Sequence, residues 1–504
     1  MASDKDRIAE LQGQLLAGAA RIADLKEQVA GRDARVAELE REGAAKDARI
    51  VELVGRVAAL EKQLAELLEK VGRNSLNSHL PPSSDPPGTH AGKGNKSGRK
   101  RGGQPGHGGV TRQLVPVEEV DELINLFPKE CGNCWAALPE VLDPSAKRYQ
   151  QTELLPPVKR HTKEWRCHEV GCPLCGYRTR APYDATQIPA SPFGPRLMAT
   201  AATLSGDYHL SRRKTVRLLF ELLGVRMSLG ALSAVEARVS QAIVPAVDQA
   251  LEQAQLAPVK HTDGTSWVQG GKLLSLWTIA TTMVTVFKIL ADHTKVTLQP
   301  HYGPLLGILV SDRAKELNFW AMERRQICWA HLLRRFIAFS ERDGVAGVIG
   351  RDLLDAVGVM FAYWYDFKAG KIDRATLVKR MAPLQVQVET TLERAVAADI
   401  AGLSGSCADI LEHRAALWTF VEEDGVPPTN NHAEREIRDF VLWRKRSYGT
   451  QSERGNRFAE RIMTVTHTAR KQKKNVFEFL TACCRAWTNG TRAPLLLPAR
   501  AMPP

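Results

Sequence analysis

Apolar residues recur every seven positions at the start of the chain. Ile8, Leu15, Ile22, Val29, Val36, Ile50, Val57, Leu64 and Val71 share one register, broken by Gly43. Leu11, Leu25, Leu39, Leu53, Leu60 and Leu67 follow three residues later, with lapses at Gly18, Arg32 and Lys46. Largely β-branched a positions with Leu at d predict a parallel two-stranded coiled coil over 5–72. Between 192 and 256 the period becomes that of amphipathic helices. Leu210 to Val239 there has a helix-turn-helix pattern, with Gly224 to Gly230 as its turn region.

Near Val259 the pattern changes again. Two β-branched, apolar runs flank Gly270-Gly271 and predict a hairpin whose first strand carries Asp263. A third strand is predicted within 281–291. The run Gly307-Ile-Leu-Val-Ser ends in Asp312, the pattern of a buried strand delivering a carboxylate at its C-terminal end. Arg325 to Trp329 reads as a further strand entering a helix. From 340 to 425 the period is helical, interrupted at Gly370, Pro383 and Gly405. In Thr429 to Arg438, Asn431 precedes Glu434 by three residues, which is capping-box spacing, and Ala433, Ile437 and Phe440 form a buried stripe. An Asn431 cap would also fix the orientation of the turn that carries Glu434.

Composition then restricts the function. Residues 73–112 are rich in Pro, Gly, Ser and Asn and lack an apolar period, so they read as a flexible linker. Lys93, Lys96, Arg99, Lys100, Arg101 and Arg112 make it either a basic arm following a DNA backbone or a solubilising tether. The net charge of +13 favours a polyanionic partner, nucleic acid before membrane. Leu273 to Phe287 is too short and too Thr-rich for a membrane helix, and the charged N-terminus lacks a secretory apolar region, so a cytoplasmic location is expected. Further basic groups are Arg212, Arg213, Lys214 and Arg217, then Arg435, Arg438, Arg444, Lys445 and Arg446, then Arg470, Lys471, Lys473 and Lys474. Trp443 and Tyr448 lie among them as candidate stacking groups. Cys131-x-x-Cys134 and Cys172-x-x-Cys175 present four thiolates suited to a structural Zn²⁺, with Cys167 and His168 near enough to substitute.

The expected organisation is multidomain α+β. It comprises a coiled coil (5–72), a basic linker (73–112), a zinc-binding domain (113–185) and a helical, DNA-binding region (186–256). A catalytic core then runs in two parts (257–339 and 427–490) around a helical insertion (340–426), followed by a tail (491–504).

These residues carry a family resemblance. The coiled coil, Pro81-Pro-Ser-Ser-Asp85, Gly98 to His107, the paired CxxC knuckles, Cys328 to Phe336 (CWAHLLRRF), Thr429 to Arg438 and Trp443 to Gly449 (WRKRSYG) together resemble the insertion sequence 66 family of bacterial transposases. The resemblance implies an RNase H-like α/β core in which Asp263, Asp312 and Glu434 bind two Mg²⁺, with Mn²⁺ as a substitute. It further implies cleavage of element ends to 3′-OH groups and strand transfer into target DNA by a nucleoid-associated enzyme. His331 and Arg435 are candidates for holding the scissile phosphate or orienting a ligand. The partners implied are terminal-repeat and target DNA, a second copy of the chain, and accessory element-encoded proteins. Asp263 is followed by Gly-Thr where the family has Glu-Thr, and Asp312 by Arg-Ala where it has Gly-Tyr. The rival readings are a non-catalytic DNA-binding protein derived from a transposase, and a metal-dependent nuclease that cuts without joining.

Overall fold

The computed structural model describes residues 4–72, 114–151, 160–175, 177–181, 189 and 191–498. The linker expected over 73–112, with Lys96, Arg99, Lys100 and Arg101, lies outside them. Two compact units result, Met1–Thr89 and His90–Pro504. The first holds one uninterrupted helix, α1 (Asp4–Gly72). Its heptad residues from Ile8 to Leu64 are exposed, Ile8 at 55% and Leu60 at 61%, so the apolar seam is a surface feature there. No helix among the described residues is long and apolar enough to cross a membrane.

The second unit is mixed α+β. Its knuckle segment carries a two-stranded ribbon, β1 (Glu169–Gly171) with β2 (Arg178–Arg180). Four helices follow: α2 (Pro195–Ala202), α3 (Arg212–Leu223), α4 (Leu229–Ala242) and α5 (Val244–Leu256). Ser211 caps α3 and Gly224, at φ 63°, ends it, so the predicted turn separates α3 from α4.

The main sheet contains β3 (Val259–Gln269), β4 (Lys272–Ala280), β5 (Thr285–Leu290), β6 (Ile308–Ser311) and β7 (Arg325–Ile327). The turn helix α6 (Lys295–Leu298) lies between β5 and β6. Sheet order is β5-β4-β3-β6-β7. The first three strands form an antiparallel meander, and β6 and β7 continue parallel to β3. Gly270 and Gly271 both hold positive φ, as a two-residue hairpin of this twist requires.

Beyond β7 come α7 (Trp329–Ser340), α8 (Gly344–Lys368), α9 (Arg374–Ala397), α10 (Ser404–Glu412), α11 (Thr419–Glu422), α12 (Asn431–Ser447), α13 (Glu453–Lys471) and α14 (Val476–Thr488). Helices occupy most of 344–422. Pro383 lies inside α9, where no break occurs, while the break expected at Gly405 falls just before it, between Ala397 and Ser404. A mid-helix proline costs about 3 kcal/mol. The buried stripe Leu377, Met381, Leu384 and Val388 offsets that cost by keeping α9 in register.

Two apolar cores flank the sheet. One joins Trp267, Leu276 and Phe287 to Ile437, Phe440 and Ile462 of α12 and α13. The other joins Val310 and Ile327 to Trp329, Phe336, Ile349 and Leu353 of α7 and α8. Helix α12, with the predicted stripe Ala433, Ile437 and Phe440 buried, is thereby held against β3 and β4.

Candidate active site

Strand register brings the first two carboxylates together. Val259 to His261 pair with Ile308 to Val310, and one-for-one continuation sets Asp263 level with Asp312. Ser311 pairs with Ile327, so the same row extends to Cys328. Adjacent strands lie about 4.8 Å apart. The row therefore runs from Asp263, midway along β3, to Asp312 and Cys328, just past the C-terminal ends of β6 and β7.

Each position is fixed by its own contacts. Gly264 N–H donates to Asp263 Oδ1 at 2.9 Å, and Ala314 N–H donates to Asp312 Oδ1 at 2.9 Å. Gly264 sits opposite Trp277, and a Cβ there would lie 2.9 Å from the indole, which explains why a larger residue does not follow Asp263. Arg313 pairs with Asp409 of α10 at 2.5 Å and ties the loop after Asp312 to the helical insertion. Arg325, fully buried, donates to Asn318 Oδ1 (3.0 Å), Ser311 Oγ (3.2 Å) and the Asp312 carbonyl (3.2 Å). The sequence offered Arg325 only as a strand residue.

Glu434 comes from the first turn of α12, and the capping box that its spacing allows, the purely structural alternative for this residue, does not form. The cap is Asn430, one residue earlier, and no side-chain cap bond is made. Asn430 is buried and turns its side chain to β3, donating to the Thr262 carbonyl at 2.7 Å and meeting His261 Nδ1 at 3.3 Å. Its N–H donates to Cys328 Sγ at 3.1 Å. A buried amide left unsatisfied costs about 1–3 kcal/mol, so tertiary partners outrank the local cap. Asn431 is exposed. Glu434 itself lies 3.6 Å from His331 Nδ1 and 3.9 Å from Arg334, a neighbour the sequence did not single out. Arg435 instead bonds back to the Asn431 carbonyl on the exposed side of α12.

Electrostatics link the three acids. Burial raises the Asp263 carboxyl, and the charges of Asp312 and Glu434 raise it further, to about 8. Glu434 Oε1 is buried and accepts no hydrogen bond among the described residues. The three acids sense one another's charge, but the one group among the described residues whose ligand atoms all lie within 4.8 Å of one another is Cys328, His331 and Glu434. On the next turn of α12, burial pushes the Glu436 carboxyl up. Hydrogen bonds from His432 and His467, and the Lys471 charge, nevertheless hold it well below the usual carboxylate range. His467 Nδ1 lies 2.7 Å from Glu436, so this pair joins α12 to α13.

Not every predicted contact group is available. Arg212 is committed to the buried Glu236 at 2.6 Å. Arg444 donates to Thr265 Oγ1 and Ser266 Oγ, clamping α12 to β3. Trp443 stacks on His209 at 4.6 Å and packs against Trp267, so it is not an open base platform, whereas Tyr448 is 80% exposed. Arg213, Lys445 and Arg446 are exposed. In the knuckles, N–H groups of Cys134 and Asn133 lower the Cys131 thiol, and those of Cys175 and Leu174 lower Cys172, which suits thiolate ligation.

Residues 190–458, more than half of the chain, match the model of the Transposase IS66 family. The chain belongs to the IS66 transposase family. The matched span includes Asp263, Asp312, Cys328, His331 and Glu434. Family membership makes it a DNA-transposing enzyme that binds DNA, and points to divalent-metal dependence. Residues 5–113 match a second model, a family of unknown function (DUF6444). No curated protein matches the chain.

Proposed function

We propose that this IS66-family protein is a DDE transposase whose Asp263, Asp312 and Glu434 hold two Mg²⁺, cut element ends to 3′-OH groups and join them to target DNA. The observation that carries the reading is the Asp263–Asp312 row with its strongly raised Asp263, faced by Glu434. The strand order, an antiparallel meander extended by two parallel strands, supports an RNase H-like core. When bound, paired divalent cations stabilise the attacking and leaving oxygens of an in-line displacement at phosphorus. Mn²⁺ is the expected substitute, since it too takes oxygen ligands. The protein's part is positional. Gly264 and Ala314 N–H groups aim the two aspartates, and Asn430 fixes the turn that presents Glu434. His331 and Arg334 border Glu434 and orient it, while Arg435 on the outer face is a candidate for DNA phosphate.

The remaining assignments belong to the same reading. Cys131, Cys134, Cys172 and Cys175 hold a structural Zn²⁺. The exposed seam of α1 pairs with a second copy to give a homodimer or higher assembly. Lys96, Arg99, Lys100, Arg101, Arg213, Lys445 and Arg446 contact DNA.

The test is Mg²⁺-dependent cleavage of DNA carrying the element ends, with products mapped at nucleotide resolution. Asp263→Asn, Asp312→Asn and Glu434→Gln should each lower cleavage by at least about 10³-fold while DNA binding persists, because several kcal/mol of charge stabilisation is lost. Cleavage that survives any one of them removes that residue from the metal set.

A further inference from the structure

Cys328 stands where a third carboxylate would complete the row. It is fully buried. Ligand atoms of Cys328, His331 and Glu434 all lie within 4.8 Å of one another. The arrangement follows from the fold. Cys328 is the N-cap of α7, His331 lies three residues on and so shares its face, and Glu434 descends from α12. Backbone N–H groups of Asn430, His331 and Ala330 face the sulfur, with that of Asn430 at 3.1 Å. Burial and the Glu434 charge nonetheless push the thiol up to about 12, so it is protonated until a metal ion displaces that proton. The His331 and Glu434 side chains are 20% and 27% exposed, whereas the atoms they turn to one another, His331 Nδ1 and Glu434 Oε1, are buried.

We propose that Cys328, His331 and Glu434 form a second metal site, selective for a thiophilic divalent cation of the Zn²⁺ class, that draws Glu434 away from the Mg²⁺ chemistry. Thiolate, imidazole and carboxylate are Zn²⁺ donors, and three of them leave a fourth position for water. Mg²⁺ takes oxygen ligands and gains nothing from the sulfur. Binding exchanges the Cys328 thiol proton for a sulfur–metal bond and releases that proton to solvent. The site itself stands on the cluster alone. Only its inhibitory consequence rests on the proposed role of Glu434.

The experiment uses the full chain, stripped of metal and titrated anaerobically with Co²⁺, whose thiolate charge-transfer absorption reports sulfur ligation. Wild type should take up one equivalent more than the knuckles account for. Cys328→Ser should lose that equivalent's charge-transfer band, and His331→Gln and Glu434→Gln should weaken its affinity by more than about 10-fold. Titrations of all three variants that superimpose on wild type would overturn the site. If Cys328→Ser does not fold, the two partly exposed positions carry the same test. In a second arm, Zn²⁺ is added to Mg²⁺-dependent cleavage and inhibition is scored against each protein's own zinc-free rate. A shift of the inhibitory midpoint by more than about 10-fold in His331→Gln supports the competition, and an unshifted midpoint refutes it. Absence of cleavage in wild type would count against the transposase chemistry and leave the Co²⁺ result standing.

Discussion

Asp263→Asn should make the metal-free protein more stable while abolishing its proposed chemistry. Asp263 titrates near 8 in the folded chain against an ordinary 3.8. At 1.36 kcal/mol per unit, the buried charge beside Asp312 and Glu434 costs about 5 kcal/mol at pH 8. Asparagine removes the charge, yet it buries an amide and weakens the bond from Gly264 N–H, at about 3 kcal/mol together. The net gain is about 2 kcal/mol, or about 2–3 °C in melting temperature for a unit as large as His90–Pro504. The sign with pH is fixed. A raised folded-state value means that the folded chain keeps a proton the unfolded chain has lost. Wild-type stability therefore falls as pH rises from about 4 through 8, and the variant lacks that fall. Thermal melts in EDTA at pH 5 and pH 8, repeated with Mg²⁺, measure it. Mg²⁺ should raise the wild-type melt and leave the variant's unchanged. A variant that melts below wild type at pH 8 in EDTA, or a difference independent of pH, would refute the account of a site strained by its own charges.

Four further outcomes follow from the structure. Gly264→Ala places a methyl 2.9 Å from the Trp277 ring and should cost about 1–3 kcal/mol in a melt, partly recovered by Trp277→Leu in the same chain. Arg444→Met should lower the melt by about 1–3 kcal/mol through lost bonds to Thr265 and Ser266 without altering the salt dependence of DNA binding. Arg446→Ala should leave stability alone and reduce that salt slope by about 1. Removing residues 1–89, the first compact unit, should leave the melt of the second unit unchanged and lower the mass measured by light scattering to that of a single truncated chain, whereas an unchanged oligomer would exclude α1 as the pairing element.

Much of the architecture was legible without coordinates because it depends on neighbours close in sequence. The Gly270-Gly271 turn, the strand ending at Asp312 and the stripe Ala433, Ile437, Phe440 all lie where periods of 2 and 3.6 set them. The family, too, was carried by short motifs, and the match over 190–458 establishes it.

Other features required the folded chain. Asn430 rather than Asn431 ends the turn before Glu434 because β3 offers it the Thr262 carbonyl, a partner 168 residues away. Pro383 is absorbed because the second core buries the helix around it. Trp443 is half-buried because His209 stacks on it, and Arg444 spends hydrogen bonds on β3. Cys328, in a motif noticed only as a family signature, becomes a neighbour of Glu434 through the β6–β7 register. Local periodicity encodes which face of an element is apolar. Which side chains then meet across strands and helices is decided by packing and by the need to satisfy every buried polar group, and those partners are distant in sequence.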